Sequence, residues 1–255
     1  MKVVILAGGF GTRLGEETVT VPKPMVCIGA HPMLWHIMKY YGSYGFDEFV
    51  VALGYKGEVV KSYFLQIADM ASDLTIDLAA GTVERRRRHK ERWTVHLIDT
   101  GLDTLTGGRV LRLAPIIGGE TFMLTYGDGL SNVPLDQLLA HHRAQGKLVT
   151  VTAVPAPARF GGITFDGDRI VGFAEKQAGG EGWINGGYMV MEPGVLEYLD
   201  GDEDSLEVSV LERVGRADQL AAYMHAGFWQ CMDTMRDKRA LERLWASDTP
   251  PWKRW

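Results

Sequence analysis

The chain has 255 residues, 46% of them hydrophobic and 23% charged, with a net charge of −5. This composition is ordinary for a soluble globular protein and supplies enough apolar material for a core without disulfide or metal staples. The acidic balance argues against a nucleic-acid binder, which carries a basic face, and no run approaches the roughly 18 apolar residues of a membrane span.

Lys2–Ala7 is an unbroken apolar, β-branched run stopped by Gly8 and Gly9, the pattern of a buried parallel strand. It is too short for a signal-peptide core. Cys27 and Cys231 belong to no Cys-x-x-Cys or Cys/His cluster, so two free thiols in a reducing cytoplasm are expected. Met33, Leu34, Ile37, Met38 and Tyr41 recur at helical spacing before Gly42 and Gly45, and Phe49–Leu53 predicts a second strand. Residues 57–67 predict a helix with Val59, Val60, Phe64 and Ile67 inward.

Strand, helix and strand in this order imply a βαβ unit, and hence an α/β fold with a largely parallel sheet flanked by helices. The pattern resumes with a strand at Thr121–Thr125, a helix over 134–144 and a strand over 147–154. Beyond 161 the strands are shorter, at Ile163–Phe165, Ile170–Glu175 and Gly187–Met191, and a helix from about 235 to 246 closes the chain. Thr234 followed by Asp237 resembles a capping box. The basic run within Glu84–Arg92 is expected to be a solvated loop or hairpin end, with a subunit contact or a phosphate-attracting rim as the sharper alternative.

The loop after the first strand reads Gly8-Gly9-Phe10-Gly11-Thr12-Arg13. A β-carbon at Gly8, Gly9 or Gly11 would hold the backbone away from a phosphate. Glycine also permits the positive φ angles that turn several N–H groups toward one anion. The loop lacks the third glycine of a dinucleotide fold, which disfavours an oxidoreductase, and it lacks the Gly-Lys-Ser/Thr of a P-loop.

Lys23 stands between Pro22 and Pro24, which fix the backbone and hold its ammonium at low entropic cost. Alone it reads as a surface lysine; beside the loop and Arg13 it points to phosphate chemistry. Asp128, in Gly127-Asp128-Gly129 after a strand, sits where open α/β sheets place ligands, although Asp-Gly is also a common turn. Asp233 is either a helix-entry acid before Thr234 or a second carboxylate for Mg²⁺, which is usually held by one or two carboxylates with water and phosphate oxygens.

Leu6–Leu14 and Pro22–Val26 resemble the sugar-phosphate nucleotidyltransferases, whose hallmark is a leading strand, Gly-Gly-x-Gly-Thr-Arg-Leu and a Pro-Lys-Pro segment. The resemblance implies a Rossmann-like nucleotidyltransferase fold, with a mixed, largely parallel central sheet and a smaller β-rich sugar-binding part. It implies one domain over 1–255, with about 1–130 serving the nucleotide and about 131–255 the sugar phosphate and C-terminal helix. It also implies Mg²⁺ on Asp128 and Asp233 and catalytic roles for Arg13, Lys23 and Asp128. Nucleotide contacts would come from Leu6, Ala7, Gly8, Gly9, Phe10, Gly11, Thr12, Arg13, Lys23 and Gly127.

On the sugar side, Glu175 would meet hydroxyls and Lys176 the sugar's phosphate, with Asn185 and Gly186 beside them. Gln177 replaces the proline common after Glu-Lys, and a surface ion pair is the plainer account of Glu175 and Lys176. Trp35–Met38, Asp99–Gly101, Thr106–Arg109, Leu124–Gly129, Gly227–Gln230 and Met232–Lys238 resemble the glucose-1-phosphate cytidylyltransferases in particular. That likeness adds Thr104 and Arg109 as nucleotide contacts. It implies CTP and glucose 1-phosphate as substrates, and CDP-glucose, which feeds dideoxy sugars of bacterial surface polysaccharides such as O-antigen. It implies a cytoplasmic homo-oligomer with no nucleic-acid or membrane partner. UTP, dTTP, another phosphorylated substrate or a silent regulatory homologue stand as alternatives, and retention of Arg13, Lys23, Asp128 and Asp233 together speaks against silence.

Overall fold

Lys2–Leu6 forms strand β1, and its alternation sets the layering. Val3 and Ile5 face one side of the sheet and Val4 and Leu6 the other, all four buried. The computed structural model describes residues 1–11, 14–70, 72–87, 91–156, 162–166, 169–174 and 182–255. Around β1 lie β2 (Glu48–Leu53), β3 (Thr94–Asp99), β4 (Phe122–Tyr126), β5 (Val149–Pro155), β6 (Trp183–Met191) and β7 (Leu220–Met224), in the order β7-β5-β6-β4-β1-β2-β3. Only β6 runs against the others, so the sheet is mixed and mostly parallel, as expected.

Val3 and Ile5 share a core with Met33, Leu34, Ile37 and Met38 of the helix Met33–Gly42. On the opposite face, Val4 and Leu6 pack with Val110 of the helix Thr106–Arg112 and with Leu206 and Val210 of a π-helical segment, Leu206–Glu212. The chain leaves β1 for β2 on one side, then returns to place β4 on the other. That reversal creates a crevice at the carboxyl ends of β1 and β4, where open α/β sheets bind ligands.

Most predicted elements form with ends moved by a few residues. The second helix is Gly57–Met70, with Val60 buried, Val59 and Phe64 against the core, and Ile67 outside that cluster. Strands β3 and β7 were not predicted: both are edge strands, where Thr94, His96 and Tyr223 dilute the apolar signal. Gly162–Asp166 and Arg169–Ala174 form a separate antiparallel ribbon, the small β-rich part. Ser72–Asp77 and Thr82–Arg87 form an antiparallel hairpin, so the basic run begins on a hairpin strand and 88–90 lie outside the described residues. The capping box is present, with Thr234 Oγ1 accepting from the Asp237 amide and the Asp237 carboxylate from the Thr234 amide. Cys27 and Cys231 are free thiols. Among the described residues, no helix is long and apolar enough to cross a membrane.

One buried titratable group couples this fold to pH. His36 is fully buried, with Trp245 and Trp252 packed edge-on at centroid distances of 4.5 and 6.1 Å. Its Nε2–H donates to the Ile28 carbonyl at 3.0 Å, while Nδ1 accepts from Trp252 Nε1 at 3.4 Å. Burial drives its pKa down to about 4. The unfolded chain therefore takes up a proton that the folded chain refuses, and the stability held above pH 6.5 is lost as pH falls toward 4. The expected loss is about 2 kcal/mol between pH 7.5 and pH 5. Urea denaturation at both pH values should show this slope shrinking in His36→Gln; an unchanged slope refutes the assignment.

Candidate active site

The Pro22–Pro24 pair does what its rigidity suggests. Lys23–Met25 forms a single 3₁₀ turn, closed by the Met25 amide donating to Pro22 O at 2.8 Å. The turn brings Lys23 under the carboxyl ends of β1 and β4, and Pro24 packs so close to Gly127 that a β-carbon there would stand 2.8 Å from it.

Asp128 follows Gly127, whose amide donates to Leu6 O at 3.0 Å and ties β4's exit to β1's. The chain then enters the short strand Gly129–Ser131, which pairs antiparallel with Trp229–Cys231. The Met232 amide donates to Asp128 O at 2.8 Å. This two-stranded ribbon draws Asp233 beside Asp128. Lys23 Nζ donates to Asp128 Oδ2 and Asp233 Oδ1, each at 2.6 Å, with only 13% of the lysine side chain exposed. Burial pulls the ammonium's pKa down, but the two carboxylates outweigh it and hold the net value above that of an ordinary lysine. Asp233 takes no part with its side chain in the helix cap, where Thr234 is the N-cap and Asp237 its reciprocating acid, and the Asp233 amide itself donates to Asp237 at 3.1 Å.

The donor set fits a hard divalent cation. Two carboxylate oxygens converge on the Lys23 ammonium, and a Mg²⁺ ion held by the same pair would take over that neutralisation, asking for little more from protein. Cys231 lies close, with Sγ 3.8 Å from Asp233 Oδ2, but burial and then the negative charge of Asp233 and Asp128 push its thiol up to about 12.

Above this cluster the glycine loop and the segment 102–106 form the walls of a cleft of about 510 Å³. Leu6, Ala7, Gly8, Gly9, Phe10, Gly11, Lys23, Thr104, Arg109, Gly127, Asp128 and Asp233 all line it, so these predicted residues are brought together. The three loop glycines serve different ends. Gly11 has φ +64°, in the left-handed region, and a β-carbon on Gly8 would lie 2.3 Å from the Arg109 guanidinium. Nothing lies within 4 Å of a β-carbon built on Gly9, so that position opens into the cleft. The amides of Gly9, Phe10 and Gly11 find no acceptor among the described residues, leaving donors for an anion.

Arg109 is 4% exposed and works as a brace. Nη1 donates to Leu53 O, Thr100 Oγ1 and Gly101 O at 2.7–3.0 Å, and Nη2 to Gly8 O and Leu102 O at 3.1 Å. One side chain therefore holds the glycine loop, the end of β2 and the segment 101–102 together. Thr12, Arg13, Glu175 and Lys176 lie outside the described residues. Asn185 and Gly186 stand on β6: Asn185 Oδ1 accepts from the Gly187 amide at 2.9 Å, and Gly186 is buried against Val154.

Sequence reasoning missed Tyr126, Thr106 and Glu207. Tyr126 OH donates to Glu207 Oε1 at 2.5 Å and Thr106 Oγ1 to Glu207 Oε2 at 2.9 Å, with Tyr126 and Thr106 lining the cleft. Tyr126 and Thr106 sit in segments already singled out, but nothing in the spacing around Glu207 marks it.

Known proteins share this chain's pattern over its length. The nucleotidyl transferase family model matches residues 2–237. Glucose-1-phosphate cytidylyltransferase of Salmonella typhi is 44% identical over 256 residues, covering 100% of both chains. Probable glucose-1-phosphate cytidylyltransferase of Bacillus subtilis (strain 168) is 42% identical over the same span, again covering 100% of both. Among solved structures, HddC from Yersinia pseudotuberculosis has a TM-score of 0.71 at 21% identity, covering 96% of this chain and 99% of that one, a likeness of fold.

The brace gives a direct test. Arg109→Lys keeps the charge but loses the planar fork that reaches five oxygens. It should cost about 1–3 kcal/mol of stability. Because two cleft walls lose their tie, nucleotide affinity should fall with it. Urea denaturation and equilibrium nucleoside triphosphate binding check both parts, and wild-type values in both would refute the brace.

Proposed function

The chain belongs to the nucleotidyl transferase family, and we propose that its cleft transfers a cytidylyl group from CTP to α-D-glucose 1-phosphate, giving CDP-glucose and pyrophosphate. Full-length identity of 44% to a glucose-1-phosphate cytidylyltransferase supports the choice of substrates. The observation that carries the chemistry is the Lys23 ammonium held between Asp128 and Asp233 at the mouth of β1 and β4. Cation and paired acids at one point serve phosphoryl transfer, where catalysis is positioning and charge neutralisation.

An oxygen of glucose 1-phosphate attacks the α-phosphorus of CTP in line. A new P–O bond forms, the bridging bond to the β-phosphate breaks, and pyrophosphate leaves. No protein base is needed, because a phosphate monoester with a second pKa near 6 is largely ionised at pH 7. Asp128 and Asp233 would hold Mg²⁺, which would supply neutralisation of the triphosphate's charge. The amides of Gly9, Phe10 and Gly11 receive phosphate oxygens. Lys23 is the cation at the reacting phosphoryl groups, and Arg13 stabilises the departing pyrophosphate. Thr104 and the Arg109 brace shape the nucleotide wall. Glu175 and Lys176 hold the sugar phosphate, with Asn185 and Gly186 beside them. In this reading 1–255 works as one domain, about 1–130 for the nucleotide and about 131–255 for the sugar phosphate, in a cytoplasmic homo-oligomer.

Pyrophosphate release measured with CTP, UTP, dTTP and GTP against several sugar 1-phosphates should be fastest for CTP with glucose 1-phosphate; no release under any pairing would mean a silent homologue. A chelator should abolish turnover and added Mg²⁺ restore it. Lys23→Ala and Asp128→Ala should each lower kcat by about 10²–10³ while staying folded. Near-normal CDP-glucose formation by either purified, folded variant would overturn the roles of Lys23 and Asp128.

A further inference from the structure

Beside the nucleotide cleft lies a second hollow of about 400 Å³, joined to it at Tyr126, Asp128 and Asp233, which line both. Whatever fills this hollow sits against the acid pair, and no residue of the glycine loop lines it among those described. Its remaining described lining is Ala156, Ile184, Trp229 and Cys231. None of these carries a positively charged side chain. The described part of the hollow therefore suits the uncharged body of a substrate rather than its phosphate.

Trp229 decides what kind of body. It is half-buried at the start of the strand Trp229–Cys231, paired with Ser131 across the short ribbon that brings the two acids together. Its Nε1–H donates to Gly186 O at 2.7 Å. That bond fixes the indole and uses its only polar atom, so what the side chain presents to the hollow is ring surface. Ile184, itself 38% exposed, adds apolar surface alongside. A rigid, flat apolar wall beside a reacting phosphate matches a saturated six-membered ring, which has a C–H face and carries its hydroxyls around the edge.

We propose that Trp229 is the wall on which the pyranose ring of the second substrate packs, and that it is a specificity-determining residue for the sugar. This inference rests on the assignment of a hexose 1-phosphate as the group's acceptor. The indole acts by contact with the ring's C–H face, and Gly186 acts by holding the indole at the right angle. Trp229 does not line the nucleotide cleft, so the nucleotide does not feel it.

Steady-state kinetics on the full chain with Mg²⁺, CTP and glucose 1-phosphate test the idea. Trp229→Ala should raise KM for glucose 1-phosphate about tenfold, with KM for CTP within about twofold of the parent. Trp229→Phe, which keeps a flat ring, should recover most of the loss. Trp229→Leu, which keeps bulk without a ring, should not, and it serves also if the alanine variant fails to fold. An unchanged sugar KM in the alanine or leucine variant overturns the proposal, as does an equal rise in both KM values, which would mark a purely structural tryptophan. Failure of the parent itself to release pyrophosphate with any sugar 1-phosphate overturns the functional assignment and this inference together.

Discussion

Three distant stretches of chain meet on one nitrogen. Lys23 lies in a proline-bounded turn, Asp128 at the exit of a central strand and Asp233 at the approach to the last helix, and 105 and 210 residues separate the lysine from its partners. Two carboxylates this close repel each other, and the ammonium between them offsets that repulsion. The same neutralisation ties the order of the cleft to the order of the chain: the turn, the strand exit and the terminal ribbon all have to be in place for the contact to form. A buried charge cluster of this kind adds little net stability, because desolvation offsets most of the attraction. Its value is geometric.

The remaining walls are fixed by main-chain chemistry rather than charge. Arg109 gathers carbonyl groups from the glycine loop, the end of β2 and the segment after β3, and so ties the nucleotide side of the cleft together. Glu207 does similar work with its carboxylate, which joins Thr106 to Tyr126. The π-helical turn that carries Glu207 is of a type often found at functional sites.

How much of this was legible beforehand depended on how local the signal was. The glycine loop, the lysine between prolines and the buried strand each announce themselves within ten residues, because glycine, proline and β-branched residues restrict the backbone directly. Asp128 and Asp233 were legible as acids at element ends, but their approach to a single lysine was not, since no pattern in either segment encodes pairing across the ribbon. Arg109 was expected at the nucleotide; that it also braces three segments follows from carbonyl groups, which are identical at every residue and leave no trace in sequence. Edge strands β3 and β7 escaped because half their surface meets solvent and the apolar run is broken. Asn185 and Gly186 were picked out by likeness, and the packing of Gly186 against Trp229 and Val154 emerges only from the antiparallel course of β6.

The three-residue ribbon between Gly129–Ser131 and Trp229–Cys231 has an architectural meaning of its own. All seven strands of the main sheet are complete by Met224, before the ribbon's second strand begins. A chain cut after β7 would retain every sheet strand, the glycine loop, Lys23 and Asp128, yet lack Asp233 and Trp229. Drift in the tail from Trp229 to Asp233 can alter or extinguish the reaction without touching the sheet, which makes that short tail the place where a lineage built on this scaffold can change its chemistry.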